Sequence, residues 1–309
     1  MTGPARLTID GRGHRQRIDR YLAECQTWGS RAQVQRLIDS GLVLVDGQPA
    51  KAGTLLRLGQ VVSVAAPPPA PPPAVEAEDI PLAVVYEDAW LLVINKPPGL
   101  VVHPAPGHWH GTLVSALLHH WRGTPAGLDP LRPGIVHRLD KDTSGVLVIA
   151  KDPVTLAALG AQFRAREVEK EYVAFVWGRV RSRAGMIDEP IGRHRSERTR
   201  MAVRRGGREA VTAYRVVERF DAVTLLRLFP KTGRTHQLRV HLAAIGHPIV
   251  GDAVYGGGRG RAAERPLSRQ ALHAARLTLR HPVTGARMSF AAPLADDLVE
   301  LRRRLANAP

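Results

Sequence analysis

A chain of 309 residues with 44% hydrophobic side chains can bury a sizeable core, which excludes a globally disordered protein. Its 44 Lys and Arg residues against 28 Asp and Glu give a formal charge of +16, which favours a polyanionic partner such as nucleic acid. Cys25 is the only cysteine, which excludes a disulfide framework, and neither a membrane-length apolar run nor a signal-peptide core occurs, so we expect a soluble, cytoplasmic protein.

A proline-rich stretch divides the chain. Residues 66–79 read APPPAPPPAVEAED. Proline fixes its own φ and lacks an amide donor, so this segment is predicted to be an extended, semi-rigid spacer. We therefore predict a small domain at 1–66, a linker at 67–79 and a large domain at 80–309.

The small domain begins with two predicted helices. Ile18, Leu22 and Cys25 recur at helical spacing and indicate the first. Ser30 and Gln33 form a capping-box pair that predicts the start of the second. An Asp-Gly pair within LVLVDGQPA then predicts a hairpin, and GQVVSV supplies another strand.

This block, from about residue 17 to residue 64, resembles the S4 RNA-binding domain. The resemblance implies that the second helix and its basic residues, among them Arg31 and Arg36, face structured RNA. A small folded adaptor with an ordinary charged face is the alternative.

Helices and strands are mixed in the large domain. AVVYED, WLLVINK, KEYVAFVWGRV, AVTAYRVVERF and VTLLRLFP predict strands, whereas GTLVSALLHHW and DPVTLAALGAQFRAREV predict helices. Because strands and helices do not alternate regularly, we expect an α+β fold with a largely antiparallel central sheet flanked by helices. The segment GGGRGRAAERPLSR, 256–269, is predicted to be a basic loop.

The stretch GIVHRLDKDTSGVLVIAK, 134–151, places charged residues between apolar runs. If GIVHRLD is a strand, Arg138 and Asp140 share one face, opposite His137. A carboxylate held near guanidinium groups stays ionised and can act as a nucleophile or base. Spacing alone does not choose between Asp140 and Asp142, and a turn whose Asp and Thr side chains bind backbone amides is the alternative.

HRLDKDTSG resembles the signature of the RluA-type pseudouridine synthases. Further resemblances follow in order along 87–293: EDAWLLVINKPPGLVVHP, EKEYVAFVWG and KTGRTHQLRVHLAAIGHPIVGDAVYG. DEPIGRHRSERTRMAV and RQALHA fit the subgroup that acts on large-subunit ribosomal RNA. The resemblance implies the pseudouridine synthase fold and the isomerisation of uridine to pseudouridine in RNA, without a cofactor.

The resemblance also assigns roles to single residues. The catalytic aspartate of the family falls on Asp140, and Asp142 is left to the turn, where we expect it to cap amides. The arginine that replaces the expelled base in the RNA helix falls on Arg138. The tyrosine that packs against the target uracil falls on Tyr172, and the arginine that pairs with the catalytic carboxylate falls on Arg239.

The last block has its own helical signals. Thr235 is predicted as the N-cap of a helix that ends at Gly246, with Arg239 off its apolar stripe. Lys231 and Arg234 precede the helix and favour anionic groups there. The 13 histidines show no known metal-ligand spacing, so metal catalysis is not expected.

Three alternatives remain open from the sequence. The chain could be a non-catalytic RNA chaperone or ribosome-assembly factor, although Asp140, Tyr172 and Arg239 are all present. It could be a hydrolase that uses paired carboxylates, with Asp252 as the second, although a structural role in a turn is favoured for Asp252. Within the family the substrate could be tRNA or another rRNA site. By analogy we expect pre-ribosomal large-subunit RNA as the partner and a monomeric enzyme.

Overall fold

The computed structural model divides into two compact units, Met1–Ala74 and Val75–Pro309. It describes residues 5–25, 27–65, 75–104, 109–197, 200–256 and 267–307. Most of the predicted linker and most of the predicted basic loop lie outside these ranges. No helix within the described ranges has the length and apolar character needed to cross a membrane.

The first unit is a small α+β structure. Its elements are β1 (Ala5–Thr8), α1 (Ile18–Glu24), α2 (Arg31–Asp39), β2 (Val43–Val45), β3 (Gln48–Pro49) and β4 (Val61–Val64). The strands form an antiparallel sheet in the order β1-β4-β2-β3. The predicted capping box begins α2, where the Ser30 N–H donates to Gln33 Oε1 at 2.6 Å. The predicted hairpin turns at Asp46 and Gly47, whose φ angles of 49° and 80° suit this residue pair.

The second unit is built on one large sheet. Its strands are β5 (Val84–Glu87), β6 (Leu91–Lys96), β7 (Ser144–Ala150), β8 (Glu169–Trp177), β9 (Ala184–Asp188), β10 (Ile191–Arg193), β11 (Met201–Val203), β12 (Val211–Arg219), β13 (Val223–Pro230), β14 (Leu272–Arg280) and β15 (Arg287–Ala291). Its helices are α3 (Leu113–His120), α4 (Pro153–Ala165), α5 (Gln237–Ala244) and α6 (Asp296–Ala306).

The large sheet has the order β5-β6-β7-β14-β8-β13-β12-β9, with β15 also on β14, and β10 and β11 form a separate hairpin. Within the described ranges the only parallel pair of strands in this sheet is β7 with β14. The expected α+β fold with a largely antiparallel sheet is therefore confirmed.

Strand β7 is buried on both faces of the sheet. All seven of its residues are buried, and successive side chains alternate between two clusters. Leu147 packs in the cluster that contains Leu113 and Leu117 of α3. Val148 packs in the cluster that contains Leu159 of α4. The strand is uniformly apolar from Val146 to Ala150 because a helix covers each face of the sheet.

The segment 134–140, which precedes β7, is not the predicted strand. The sheet partner β14 pairs only with the first two residues of β7, so the rest of that edge is available to this segment. The Ala150 N–H donates to the Gly134 carbonyl at 2.9 Å, and the Val148 N–H donates to His137 Nε2 at 3.1 Å. The His137 side chain thus accepts a hydrogen bond that a backbone carbonyl would accept in a regular sheet, and the backbone around Asp140 is irregular.

The start of α5 also differs from the prediction. Its N-cap residue is His236, at a left-handed φ of 55°, and not Thr235. The side chain of Gln237 organises this turn, because its Oε1 accepts the Arg234 N–H at 3.0 Å and the Thr232 hydroxyl at 2.7 Å. A hydroxyl cap from Thr235 is therefore not needed to begin the helix.

Candidate active site

A cavity of about 610 Å³ in the second unit collects most of the predicted site residues. Its walls come from the irregular segment 134–140, from β8, from the end of β13 and from the first turn of α5. Six of the eight predicted residues line it: Arg138, Asp140, Tyr172, Lys231, Arg234 and Arg239. The other two, Arg31 and Arg36, belong to the first unit.

A buried arginine connects two carboxylates at this cavity. Arg239 Nη1 donates to Asp140 Oδ2 at 3.1 Å. Arg239 Nε and Nη2 donate to the two oxygens of Asp252 at 2.6 and 2.8 Å. Arg239 and Asp252 are both buried, whereas the side chain of Asp140 remains 21% exposed. Of the two carboxylates only Asp140 lines the cavity.

The two carboxylates share one cation, the guanidinium of Arg239. Burial would lower the pKa of Arg239, but its hydrogen bonds and charge interactions with Asp252 and Asp140 raise it well above the usual value. Burial would raise the pKa of Asp252, but Arg239 and two backbone N–H groups hold it below the usual value. Both groups are therefore ionised at neutral pH, and Asp140 shares its guanidinium partner with a second negative charge.

Asp252 also has the turn role that the sequence favoured. Its Oδ1 accepts the N–H groups of Val254 and Tyr255, each at 2.9 Å. The sequence did not predict the bidentate ion pair between Asp252 and Arg239, because a separation of 13 residues does not reveal that the two side chains meet. Since Asp252 is buried behind Arg239, the second carboxylate of a hydrolase is not presented to this cavity.

Tyr172 provides an apolar wall of the cavity. It lies in β8 between Leu228 of β13 and Ala274 of β14, and its half-buried ring packs against both neighbouring cores. Burial, and then the negative charge of Asp140, raises the pKa of Tyr172 above its usual value. The phenol is therefore neutral, and its ring offers a flat face for a base.

His236 and Tyr255 complete the surroundings of Asp140. His236 Nδ1 lies 2.9 Å from Tyr255 Oη, and its Nε2 lies 3.9 Å from Asp140 Oδ1. Burial lowers the pKa of His236, so the imidazole is neutral at physiological pH. The guanidinium carbon of Arg239 lies 5.1 Å from the centre of the Tyr255 ring, a cation–π contact.

Buried cations fix the turn that follows Asp140. Lys96 is fully buried, and its Nζ donates to the carbonyls of Pro97, Leu100 and Lys141 at 2.7, 3.0 and 2.8 Å. Burial lowers the pKa of Lys96 to about 7, while three carbonyl acceptors call for the three donors of an ammonium group. Sequence reasoning did not select Lys96, although its place before two prolines is visible.

The turn itself differs in one detail from the expectation. It is closed by the Thr143 N–H, which donates to the Asp140 carbonyl at 3.0 Å. The Asp142 carbonyl accepts from Arg269 Nη1 at 3.0 Å. Within the described ranges the Asp142 carboxylate accepts no amide hydrogen bond, so its predicted capping role is wrong. The guanidinium of Arg269 secures this backbone instead.

The neighbouring histidine has a structural role. His137 stacks on Phe163 with ring centroids 4.8 Å apart, and its Nε2 accepts a backbone N–H. Burial lowers the pKa of His137 to about 3, which keeps it neutral. The described parts of the chain contain no group of three His, Cys, Asp or Glu side chains placed to hold a metal ion.

The two predicted RNA-binding arginines of the first unit differ in their contacts. Arg31 Nη2 donates to Asp19 at 2.7 Å, and Arg17 donates to the same buried carboxylate. The ion pair commits part of the Arg31 guanidinium, although the side chain is still 57% exposed. Arg36 is exposed in the last turn of α2.

Comparisons with known proteins agree on one family. A family model described as RNA pseudouridylate synthase matches residues 90–244, and an S4 domain model matches 16–62. An uncharacterized RNA pseudouridine synthase of Chloroflexus aurantiacus is 52% identical, over 94% of this chain and 90% of that protein.

Two further relatives are a named bacterial enzyme and a solved structure. The ribosomal large subunit pseudouridine synthase D of Nitrosomonas europaea is 44% identical, over 95% of this chain and 85% of that protein. The structure of human RNA pseudouridylate synthase domain containing 1 is similar with a TM-score of 0.57 and 29% identity, over 77% of this chain and 98% of that one.

Proposed function

The chain belongs to the RNA pseudouridylate synthase family and is an RNA pseudouridine synthase, and on this basis we propose that it modifies uridines of large-subunit ribosomal RNA through Asp140. The observation that carries the site proposal is the Asp140 carboxylate, which faces the cavity while Arg239 holds it at 3.1 Å. The 44% identity to a large-subunit enzyme supports the choice of RNA.

The reaction moves one glycosidic bond. The bond from the sugar to uracil N1 breaks, the base turns within the cavity, and uracil C5 bonds to the same sugar carbon. The proton on C5 then leaves and N1 gains one, so that no net oxidation or reduction occurs. Asp140 begins the reaction, either by attack on the sugar carbon or by removal of a sugar proton. Arg239 pairs with this carboxylate and orients it.

The target uridine must leave its stack to reach Asp140. Extrusion of a base costs a few kcal/mol, which contacts in the pocket and in the RNA helix must offset. We propose that Tyr172 packs against the flipped uracil, since its neutral ring forms a wall of the cavity. Arg138, which is exposed beside Asp140, would enter the RNA helix in place of the base.

RNA outside the cavity would be bound by basic side chains. Lys231 and Arg234 lie at the cavity, and Arg31 and Arg36 lie on α2 of the S4 domain. We propose that residues 1–66 act as a docking module, joined by the linker at 67–79 to a catalytic domain at 80–309. Deletion of 1–66 should weaken binding to folded rRNA more than it slows turnover of a short target. Equal losses would contradict separate docking.

Pseudouridine mapping tests the reaction and the residue together. Cells that lack the protein are complemented with wild type or with Asp140→Asn, and pseudouridine is mapped in ribosomal and transfer RNA. We expect large-subunit sites to vanish and to return only with wild type. Return of these sites with Asp140→Asn would overturn the role of Asp140. Loss of sites only in tRNA, or in no RNA, would overturn the choice of substrate and favour a tRNA enzyme or an assembly factor.

A further inference from the structure

Four cations crowd the wall of the cavity beside the predicted catalytic group. Arg166 directly follows α4, Lys170 lies in β8, Arg208 precedes β12, and Arg234 precedes α5. All four line the same cavity as Asp140. Only Arg234 among them was singled out from the sequence, because Arg208, and Arg166 with Lys170, come from other parts of the chain.

One carboxylate anchors this cluster. Arg166 Nη1 and Nη2 donate to the two oxygens of Glu209 at 2.9 and 3.0 Å. Arg234 Nε donates to the backbone carbonyl of Glu209 at 3.0 Å. Glu209 therefore holds two guanidinium groups in place, yet its single negative charge offsets only one of the four positive charges.

The uncompensated charges act on one another. Burial, and then the positive charges of Arg208 and Arg166, lowers the pKa of Arg234 below its usual value. Burial, followed by the charge of Arg166, also lowers the pKa of Lys170. Like charges held together in this way are unfavourable in the free protein, and a bound anion would relieve the repulsion.

We propose that Arg166, Lys170, Arg208 and Arg234 form a phosphate subsite, which binds a backbone phosphodiester of the RNA strand next to the target uridine. Guanidinium groups suit phosphate because their planar N–H donors match its oxygens. The subsite shares its cavity with Asp140, so the phosphate belongs to the strand that carries the reacting nucleotide. The identity of the strand rests on the proposed function, whereas the binding of phosphate does not.

Salt dependence tests the subsite without knowledge of the true substrate. The full-length protein is titrated with single-stranded oligouridine over a range of salt concentrations. Arg208→Gln is the test variant, because Arg208 is exposed and a substitution at an exposed position usually changes stability by only about 0.5 kcal/mol or less. We expect the slope of log K against log salt to become shallower by about 0.7, the value for one lost phosphate contact on a single strand.

Arg287→Gln is the matched control. Arg287 is an exposed arginine, ion-paired to Glu169 at 2.7 Å, and it does not line this cavity. We expect Arg287→Gln to keep the wild-type slope. Equal slopes for Arg208→Gln and Arg287→Gln would overturn the subsite.

A neutral linkage in the RNA then locates the phosphate. Each phosphodiester near a mapped uridine is replaced in turn by methylphosphonate, and kcat and KM are measured. We expect the methylphosphonate at one position to lower kcat/KM by about 10- to 100-fold, mainly by raising KM. This magnitude corresponds to the loss of one charge-assisted hydrogen bond. At that position Arg208→Gln should cause no further loss. Additive losses at every position would overturn the proposal, while absence of any rRNA modification would overturn only the proposed substrate.

Discussion

Replacement of Asp252 by Asn tests whether a second carboxylate sets the charge that Asp140 experiences. Arg239 gives two N–H groups to Asp252 and one to Asp140. The single positive charge of Arg239 is therefore shared between two carboxylates. Asn keeps the shape of the side chain and removes its charge, which leaves the whole charge of Arg239 to Asp140. A carboxylate that is held more strongly by its cation is a weaker nucleophile, so Asp140 should react more slowly.

The size of the effect follows from Coulomb's law. Two unit charges on opposite sides of a guanidinium, roughly 6 Å apart, repel by about 3 kcal/mol at an effective dielectric constant of about 20. Water reaches the partly exposed Asp140 and screens this repulsion. We therefore expect removal of the repulsion to stabilise the Asp140 carboxylate in its ion pair by about 1.4 kcal/mol, which corresponds to a factor of about ten in rate. At its pH optimum kcat should fall by at least about tenfold, because the carboxylate is less reactive and less firmly aimed.

The assay uses RNA that carries tritium on uracil C5, since each turnover releases that hydrogen to water. Rates are measured across pH for wild type, Asp252→Asn and Asp88→Asn, with thermal unfolding of each variant as a check on folding. Asp88 is the control because it also has several hydrogen bonds but does not line the cavity. A wild-type kcat in folded Asp252→Asn, or an equal loss of kcat in Asp88→Asn, would refute the shared-charge reasoning.

The other predictions concern stability. Arg239→Ala should lower the free energy of unfolding by about 3–5 kcal/mol in denaturant titrations, because Asp252 is left buried without its cation, and turnover should be lost as well. Lys96→Met should cost at least about 3 kcal/mol in the same assay, because three carbonyls lose their donor. Hydrogen bonds from Tyr86, from two backbone N–H groups and from His281 outweigh burial and lower the pKa of Asp88 to about 2. The resulting stability of about 2 kcal/mol should be present above about pH 4 and lost as pH falls through about 2. Wild type should therefore lose more stability than Asp88→Asn on acidification, and parallel losses would contradict this linkage.

Local sequence signals predicted the elements that rest on local interactions. The capping pair of α2, the Asp-Gly turn and the strand alternation depend on residues a few positions apart, and all of them occur in the structure. The prediction failed where an unexpected side chain took over a hydrogen bond that the local pattern assigned to another group. His137 takes the hydrogen bond that would have made 134–140 a strand, and Gln237 replaces the expected cap by Thr235. Periodicity and capping rules contain no information about such partners.

The environment of Asp140 depends on contacts that are long in sequence. Arg239 lies 99 positions from Asp140 in sequence. Lys96 binds the carbonyl of Lys141, which is 45 positions away. Arg269 binds the carbonyl of Asp142, which is 127 positions away. An isolated HRLDKDTSG motif therefore cannot specify a reactive carboxylate, which agrees with the ambiguity between Asp140 and Asp142 in the sequence.

The blocks that resemble the family supply these distant partners. Lys96 lies in the first block, Asp140 in the second, Tyr172 in the third, and Arg239 with Asp252 in the last. In the folded protein these blocks meet around one cavity or directly behind its wall. The order of the blocks is informative because each contributes a different physical requirement: a fixed backbone, a carboxylate, an apolar face and a shared cation. Each block supplies a group that the others lack, which explains why the whole set predicts the activity and a single motif does not.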